Sequence, residues 1–414
     1  MYRLLEGLRI IEGASFIAGP SCGLHLNQLG AEVIRFDQIG GGPDFGRWPL
    51  APNGASLYWE GLNKGKKSIA LDLVSPAGRE LAVALITAPG PDAGLFVTNY
   101  PVRGFLSHDR LAAQRADLIS CRVMGWANGD NALDYTVNAA LGVPLMTGPE
   151  ALGDQPVNHV LPAWDLATGL YAALALVAAE RQRSRTGKGA EIRVPLGDVA
   201  MASLGAIGQI AEVSVSGQDR PRYGNDLFGA FGRDFATADG QRIVLIALTP
   251  RQWHDMVARL GLGAEITALQ GELNVDFAAD EGLRFIHRAR LNALVSPAVA
   301  ARTMAEIAAL FAGSSVCWGP YGTLGSAIGA PGLISGDNPL FQSLTHASGQ
   351  TYPTPGAAGT LMGEARAEPG VAPRLGEHTD QVLAEVLGMP GAAIARLHDQ
   401  GTIAGPDRAG RAGR

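Results

Sequence analysis

One carboxylate stands out in this 414-residue chain because its surroundings carry almost no charge. Asp165 follows Pro162 and precedes Leu166–Ala179, an uncharged segment rich in Ala and Leu that predicts a buried helix. A carboxylate in a first helical turn is favoured by the helix dipole, so a plain N-cap is one interpretation. The other is a nucleophile: with a reference pKa of about 3.9, an aspartate is ionised at neutral pH and can form a covalent intermediate.

Several other chemistries are disfavoured by composition and spacing. The formal net charge of −6 and the pI of about 5.8 argue against a nucleic-acid-binding surface. The eight histidines and three cysteines have no metal-ligand spacing, so we predict no metal. No G-x-G-x-x-G follows the first predicted strand, which argues against a dinucleotide oxidoreductase.

Gly19–Gly23 matches the nucleophile-elbow pattern of serine hydrolases around Ser21. Only one strand precedes Ser21, so no earlier loop is available to supply the oxyanion donor that an elbow requires. We therefore predict that this segment is not a hydrolase site.

Two loops keep two interpretations each. Lys64–Ser68 lacks the upstream glycine of a phosphate loop, since position 60 is Glu. It is either a solvated basic turn or a set of ammonium groups for a phosphorylated ligand. Gly224–Gly232 is either an interdomain linker or a mobile flap whose backbone N–H groups approach a reacting carbonyl.

Strand and helix signals alternate along the first half of the chain, which predicts a parallel sheet with helical crossovers. A new unit begins near a strand at 241–248 and a helix at 250–260, and 236–330 predicts a smaller α+β domain. A late helix is predicted at 379–387. The predicted strands of the first unit are 8–12, 32–36, 68–73, 94–99, 118–123 and 190–194, with helices at 19–29 and 76–87.

The cysteines, Cys22, Cys121 and Cys317, suggest no disulfide framework and suit a reducing compartment. The N-terminal residues lack the apolar stretch of a signal peptide, and Leu166–Ala179 is shorter than a membrane span. We therefore predict a cytoplasmic protein with neither membrane nor nucleic acid as a partner.

The order of several motifs resembles the class III CoA-transferases, the formyl-CoA and carnitine CoA-transferase family, over nearly the whole chain. No single motif is decisive, but their order and spacing match. They are Leu8–Glu12 with Ala18-Gly19-Pro20, Leu29–Asp37, Ser68–Leu73, Val97–Tyr100, Thr186–Gly189 and Ala372–Thr379.

The resemblance implies an α/β fold: a Rossmann-like large domain with a parallel sheet, a smaller α+β domain, and an interlocked homodimer. The large domain would comprise 1–216 and 331–414, with a glycine-rich linker or flap at 217–235 and the small domain at 236–330. Coenzyme A would enter as part of a small acyl-CoA substrate, with no cofactor tightly bound.

The resemblance also assigns roles to residues. It makes Asp165 the nucleophile. It places the CoA contacts at one set of positions: Phe16, Ala18, Lys66, Leu71, Asn99, Tyr100, Arg103 and, near the pantetheine, Tyr135. For oxyanion donors we consider backbone N–H groups near Ala18 or Gly229.

A closer resemblance is to the subgroup that moves CoA between the C1 and C4 carboxyls of mesaconate. It rests on Ile39–Pro49, Asp134–Asn138, Met146–Pro149, Asn158–Asp165 and Gly229–Phe235. Intermolecular CoA transfer and a non-catalytic acyl-CoA-binding protein remain alternatives.

Two further points concern the second carboxylate of the substrate and the racemases of the same superfamily. Arg47 or Arg233 would hold the second carboxylate of the diacid. The racemases of the superfamily use a His next to the Asp that corresponds to Asp134. In this chain the neighbouring residue is Leu133, which cannot move a proton, so racemisation is disfavoured.

Overall fold

A computed structural model describes residues 1–101 and 103–406. The strands are β1 Arg9–Gly13, β2 Glu32–Gln38, β3 Lys67–Leu71, β4 Leu95–Thr98, β5 Ile119–Met124, β6 Ala190–Pro195, β7 Phe231–Ala236, β8 Arg242–Ala247, β9 Cys317–Pro320, β10 Phe341–Thr345, β11 Thr351–Pro355 and β12 Ile403–Ala404.

The helices of the larger unit and its connections are α1 Ala18–Gln28, α2 Leu57–Leu62, α3 Pro76–Ile86, α4 His108–Ala112, α5 Asp134–Ala140, α6 Val143–Met146, α7 Ala163–Thr186, α8 Leu196–Ala206 and α9 Gln209–Ser216. They are followed by α10 Pro250–Leu260, α11 Gly263–Leu273, α12 Glu281–Ile286, α13 Arg288–Ala300, α14 Met304–Phe311, α15 Leu324–Ala327, α16 Thr379–Leu387 and α17 Gly391–Asp399, with a 3-10 turn at Glu150–Leu152.

The described chain divides into two compact units. Unit 1 contains Met1–Leu141, His159–Glu212 and the chain from Gly329 onward, and unit 2 contains Gly142–Asn158 and Val213–Ile328. The sequence predicted that residues 142–158 belong to the large domain, but in the structure Gly142–Asn158 groups with unit 2. The side chain of Arg222 explains the difference, because its guanidinium donates to three backbone carbonyls of that segment.

Unit 1 is built on a seven-stranded sheet in the order β12-β3-β2-β1-β4-β5-β6. Every neighbouring pair is parallel except β12 with β3. This confirms the predicted α/β class with a mainly parallel sheet. The strand order reverses between β1 and β4, and a reversal of this kind opens a crevice at the carboxyl ends of the strands.

Side chains of successive strand residues point to opposite faces of the sheet, and helices cover both faces. In β1, Ile10 packs in the cluster that includes Ala172 of α7, whereas Ile11 packs in the cluster that includes Leu85 of α3. Both isoleucines are buried. The strands therefore appear in the sequence as short apolar runs between turns rather than as alternating patterns.

Helix α7 begins before the predicted Leu166 and continues past Ala179 to Thr186. The prediction of a buried helix was wrong for one face, since Leu170, Tyr171 and Leu174 are exposed. Only the opposite face packs, mainly against α1 and β5. By length and composition α7 is long and apolar enough to cross a membrane, and two bent helix pairs pass the same test if each counts as one span.

Unit 2 contains a three-stranded antiparallel sheet in the order β7-β8-β9. Helices α10 to α14 enclose its core around Trp253, Phe277 and Leu291. Helix α10 has the bounds that the sequence predicted, because Thr249 and Gln252 form a capping box and Pro250 occupies the first turn.

A glycine allows α7 to lie directly on α1. A Cβ atom at Gly169 would lie 1.9 Å from the Ser21 Oγ atom and 2.9 Å from the Ala18 backbone oxygen. Asp165 is one turn earlier on α7, so the close approach of the two helices at Gly169 determines how far Asp165 lies from the N-terminus of α1.

We expect Gly169→Ala to lower the free energy of unfolding by about 1–3 kcal/mol, because the added methyl group overpacks the α1–α7 contact. Gly205→Ala in α8 is the matched control. A Cβ atom at Gly205 would lie 3.6 Å from its nearest neighbour, an ordinary contact distance. Because alanine is a better helix former than glycine, we expect this substitution to raise the free energy of unfolding by up to about 1 kcal/mol. Denaturant unfolding of both variants measures the difference, and equal midpoints would contradict the packing argument.

Candidate active site

A cleft of about 1150 Å³ opens at the carboxyl ends of β1, β4, β5 and β6, where the strand order reverses. Asp165 of α7 lies in its lining. Five of the residues predicted to contact CoA line the same cleft, although they are far apart in sequence: Phe16, Ala18, Asn99, Tyr100 and Arg103. The structure therefore brings the predicted nucleophile and most of the predicted CoA contacts to one place.

Asp165 does not cap its helix. The N-cap position is Pro162, which has no capping side chain, and the carboxylate of Asp134 takes over that function from helix α5. Its Oδ2 atom accepts the backbone N–H of Trp164 at 2.7 Å and that of Asp165 at 3.1 Å. Among the described residues the Asp165 carboxylate accepts no hydrogen bond, so the N-cap interpretation of Asp165 is wrong and its carboxylate is free to react.

The pKa of Asp165 departs from the value expected from sequence. This pKa is raised to about 7, mainly by burial and secondly by the charge of Asp134, while the charge of Arg47 lowers it. The sequence analysis expected an aspartate that is ionised at neutral pH without tuning. In the structure the carboxylate is shielded from water, and this burial favours its protonated form and raises its pKa toward neutrality.

The sequence did not predict the hydrogen bond between Asp134 and His159. The His159 Nε2 atom lies 2.7 Å from Asp134 Oδ1, and Asp134 is almost fully buried. The imidazole also contacts the rings of Tyr135 and Trp164. Twenty-five residues separate the two partners, and no spacing rule connects them, so the sequence contained no signal for this pair.

The turn after β1 is held by Asn99, which follows β4. The Ser15 backbone N–H donates to Asn99 Oδ1 at 3.0 Å, and Asn99 Nδ2 donates to the Ser15 carbonyl at 2.8 Å. The next residue, Phe16, has a φ of 68°, in the left-handed region that non-glycine residues rarely adopt. Strained backbone of this kind is found at functional sites that the surrounding structure holds in place.

Three of the residues predicted to contact CoA do not line the cleft. Lys66 is almost fully buried, and its Nζ atom donates to both carboxylate oxygens of Glu12 at 2.9 Å. Leu71 is a core residue with no exposed surface. Tyr135 is exposed and lies edge-on against His159. Because the Lys66 ammonium is bound to Glu12, it has no free donor for a phosphate.

Other candidates from the sequence are structural. Ser21 is buried within α1, where its hydroxyl donates to the Ala18 carbonyl, so it is not an exposed elbow nucleophile. Lys64 is buried as well, and burial lowers its pKa to about 8. The basic turn is therefore not a solvated one. Within the ranges 1–101 and 103–406, no three His, Cys, Asp or Glu side chains converge as a metal site.

Comparison with known proteins agrees with this geometry. The family model described as CoA-transferase family III matches residues 5–379. A 2-methylfumaryl-CoA isomerase of Chloroflexus aurantiacus is 49% identical over 99% of this chain and 100% of its own length. A succinyl-CoA:glutarate CoA-transferase of Mus musculus is 30% identical over 96% of this chain and 90% of its own.

Among solved structures, a CAIB/BAIF family protein from Brucella suis has the same fold. It superimposes with a TM-score of 0.73 at 24% sequence identity and covers 92% of this chain and 99% of its own. The cleft at the strand switch point and these matches lead to one conclusion: the chain belongs to CoA-transferase family III.

Proposed function

We propose that the protein is an intramolecular CoA-transferase that moves CoA between the C1 and C4 carboxyls of 2-methylfumarate (mesaconate). The observation that carries the proposal is the full-length match, at 49% identity, to a 2-methylfumaryl-CoA isomerase. The Asp165 carboxylate, which accepts no hydrogen bond within the described chain and lines a cleft of about 1150 Å³, supports it. Intermolecular transfer is the second candidate, favoured by the 30% identity to a succinyl-CoA:glutarate CoA-transferase.

The substrate itself explains why a protein carboxylate is needed. The two carboxyls of a fumarate skeleton lie on opposite sides of a rigid double bond, so the free carboxylate cannot reach the thioester carbon in the same molecule. A side-chain carboxylate in between can accept each group in turn. Exchange of an acyl group between a thioester and a carboxylate is close to thermoneutral, so the reaction requires no tightly bound cofactor.

In the proposed mechanism the Asp165 carboxylate attacks the thioester carbonyl, which forms a mixed anhydride and releases CoA as a thiolate. The thiolate attacks the Asp165 acyl carbon, which breaks the anhydride, leaves an aspartyl-CoA thioester and frees the diacid. The other carboxylate of the diacid then attacks this thioester, and the same two steps run in reverse. No proton is gained or lost over the cycle.

The cleft supplies what these steps require. Phe16, Asn99, Tyr100 and Arg103 form the proposed CoA-binding walls, and the α1 N-terminus at Ala18 offers unpaired backbone N–H groups to a developing oxyanion. A single such donor is worth roughly 3–4 kcal/mol at comparable sites. Gly229, the other donor considered from sequence, belongs to unit 2 and has a left-handed φ of 79°.

The function is tested with 2-methylfumaryl-C1-CoA in the presence of isotope-labelled free mesaconate. We expect conversion to the C4 ester with little label in the product, read by NMR and mass spectrometry. Label at the level of free exchange would favour the intermolecular candidate, and no conversion of any ester would refute the function.

Asp165→Asn has nearly the same volume and cannot form the anhydride, so we expect it to lose essentially all turnover and to retain CoA binding.

Hydroxylamine provides the check on the covalent step. It traps activated acyl groups, so treatment of the enzyme during turnover should modify Asp165 as its hydroxamate. The Asp165→Asn protein is the control, and modification at another carboxylate would refute the assignment of the nucleophile.

The raised pKa of Asp165 predicts the pH dependence of the reaction. Only the ionised carboxylate attacks, so kcat/KM should fall about tenfold per pH unit below pH 6 and level off above about pH 8. Asp134→Asn removes a negative charge that raises this pKa, and therefore moves the acid limb to lower pH. Asp109→Asn, at an exposed position on α4, is the control. An unchanged acid limb in Asp134→Asn would contradict the electrostatic coupling.

We also propose an interlocked homodimer, which would cover the exposed face of α7. Leu166, Leu170 and Leu174 are four residues apart, so they form one stripe, and Leu170 and Leu174 are 56% and 66% exposed. Apolar patches of this kind mark interaction surfaces in soluble proteins. A second subunit accounts for the stripe without a membrane, because the opposite face of α7 packs against α1 and β5.

The interlocked dimer predicts a single dimeric species in light scattering that does not exchange subunits with a tagged copy until it is unfolded. Leu170→Glu should remove the dimer or prevent its assembly. Leu4→Glu, at a position that is 57% exposed and away from the stripe, should not change it. A wild-type monomer at micromolar concentration, or rapid exchange in native buffer, would overturn the proposal.

A cytoplasmic location also fits the thiols. Cys22 and Cys121 are free and buried, and burial raises the pKa of both. Such thiols are the usual form of cysteine in a reducing compartment.

A further inference from the structure

We infer that Arg47 and Tyr58 bind the substrate carboxylate that is not joined to CoA, and that they retain the free diacid between the two half-reactions. The inference deepens the proposed function and rests on it. It assigns a specificity-determining site for a dicarboxylic acid to the side of the cleft next to Phe16.

Arg47 is an arginine whose donors are not used. Its guanidinium carbon lies 5.6 Å from the centroid of the Phe16 ring and 5.5 Å from that of Tyr58. Phe16 lines the cleft that contains Asp165. Among the described residues no carboxylate or carbonyl accepts a hydrogen bond from the Arg47 side chain, and the side chain is exposed. An arginine fork is well suited to bind a carboxylate with two parallel hydrogen bonds.

Arg233, the other arginine considered from sequence, is already occupied. Its Nη1 atom lies 3.2 and 3.3 Å from the two carboxylate oxygens of Asp226 within unit 2. The structure therefore distinguishes two arginines that the sequence left equal. Of these two arginines, only Arg47 has a side chain that donates no hydrogen bond within the described chain, and it lies beside Phe16 of the cleft wall.

Tyr58 provides a second unused donor. Its hydroxyl oxygen is buried and has no hydrogen-bond partner in the described chain. Burial raises the pKa of this phenol to about 12, so it stays protonated and can donate. A buried hydroxyl without a partner is unfavourable, and a carboxylate oxygen from a ligand would satisfy it.

The segment that carries Arg47 is fixed before any ligand binds. The buried guanidinium of Arg35 donates to both oxygens of Asp44 at 3.0 Å and to Asp37 at 2.8 and 2.9 Å. Ser56, the N-cap of α2, donates to the Arg47 carbonyl at 2.5 Å. These contacts hold the backbone on both sides of Arg47, so little conformational freedom is lost when a carboxylate binds.

The free diacid that forms during the reaction is an anion, and a nearby cation is needed to retain it. When Asp165 is the aspartyl-CoA thioester it is neutral, and the free diacid carries two negative charges. The Arg47 cation acts on the Asp165 carboxylate in the free enzyme, as its effect on that pKa indicates. Because Arg47 also lies against Phe16, which lines the cleft with Asp165, it can hold the diacid while the second carboxylate turns toward the thioester.

The test measures how much label from free mesaconate enters the product ester. Wild type is assayed first, because absence of isomerisation would refute the proposed function and not this site. For Arg47→Met we expect kcat/KM to fall about 10- to 100-fold, the effect of losing a charge-assisted hydrogen bond, and the labelled fraction of product to rise at least about tenfold. Tyr58→Phe should change both quantities in the same direction and by less.

Two further variants separate binding from structure. Arg366→Met removes an arginine that lies 5.9 Å from the Tyr2 ring centroid, away from the cleft, and should leave both quantities within about twofold of wild type. Arg47→Lys keeps the positive charge and should restore much of the retention of the diacid. A slow Arg47→Met enzyme with an unchanged labelled fraction would mean a structural role and overturn the inference, as would wild-type values for both quantities.

Discussion

The active site depends on one carboxylate that is not itself reactive. Asp134 accepts the first backbone N–H groups of α7, and this capping would otherwise fall to a side chain at the start of that helix. Because the cap comes from α5, the side chain of Asp165 has no structural hydrogen bond to break before it reacts. The same negative charge also discourages ionisation of Asp165. Asp134 thus helps to set both the position and the pKa of the proposed nucleophile.

Unit 1 contains a cluster of buried charges on β1 and β2, on the loop after β2 and at the residue that precedes β3. Glu12 pairs with Lys66, and Arg35 pairs with Asp37 and Asp44. Buried ion pairs contribute little net stability, because desolvation offsets the attraction. Their contribution is geometric: Asp44 ties the segment 39–49 to β2, and that segment carries Arg47 to the cleft. The charge cluster thus positions the segment that contains Arg47, although the paired charges do not line the cleft.

Burial raises the pKa of Asp165, and it also raises the pKa of Glu12 and of Asp44 in the charge cluster, but the neighbouring charges differ. The ion-paired residues are surrounded by partners of opposite charge, whereas Asp165 faces a like charge and an open cleft. Its carboxylate is consequently a stronger base than an ordinary aspartate, and a more basic carboxylate is a better nucleophile toward a thioester carbonyl. The disadvantage is that fewer molecules hold it ionised at neutral pH.

The sequence alone determined the class of the fold, because apolar strand runs, proline helix starts and glycine turns are local signals. It also identified Asp165 as a candidate nucleophile, since a single charge next to a long uncharged helix is visible without coordinates. Thr249, Pro250 and Gln252 fixed the start of α10 for the same local reason. The family resemblance added the proposed CoA contacts of Phe16, Asn99 and Arg103, whose positions follow strand ends that meet at one edge of a parallel sheet.

Only the tertiary structure decided which charges meet. Lys66 looks from sequence like a phosphate ligand, but its ammonium lies inside the protein beside Glu12, fifty-four residues away. The pairing of His159 with Asp134, and the basicity that burial gives to Asp165, likewise depend on distances between separate elements. Hydrogen bonding, ion pairing and desolvation depend on three-dimensional proximity. A pattern along the chain can therefore name the reactive group, but not the neighbours that set its protonation.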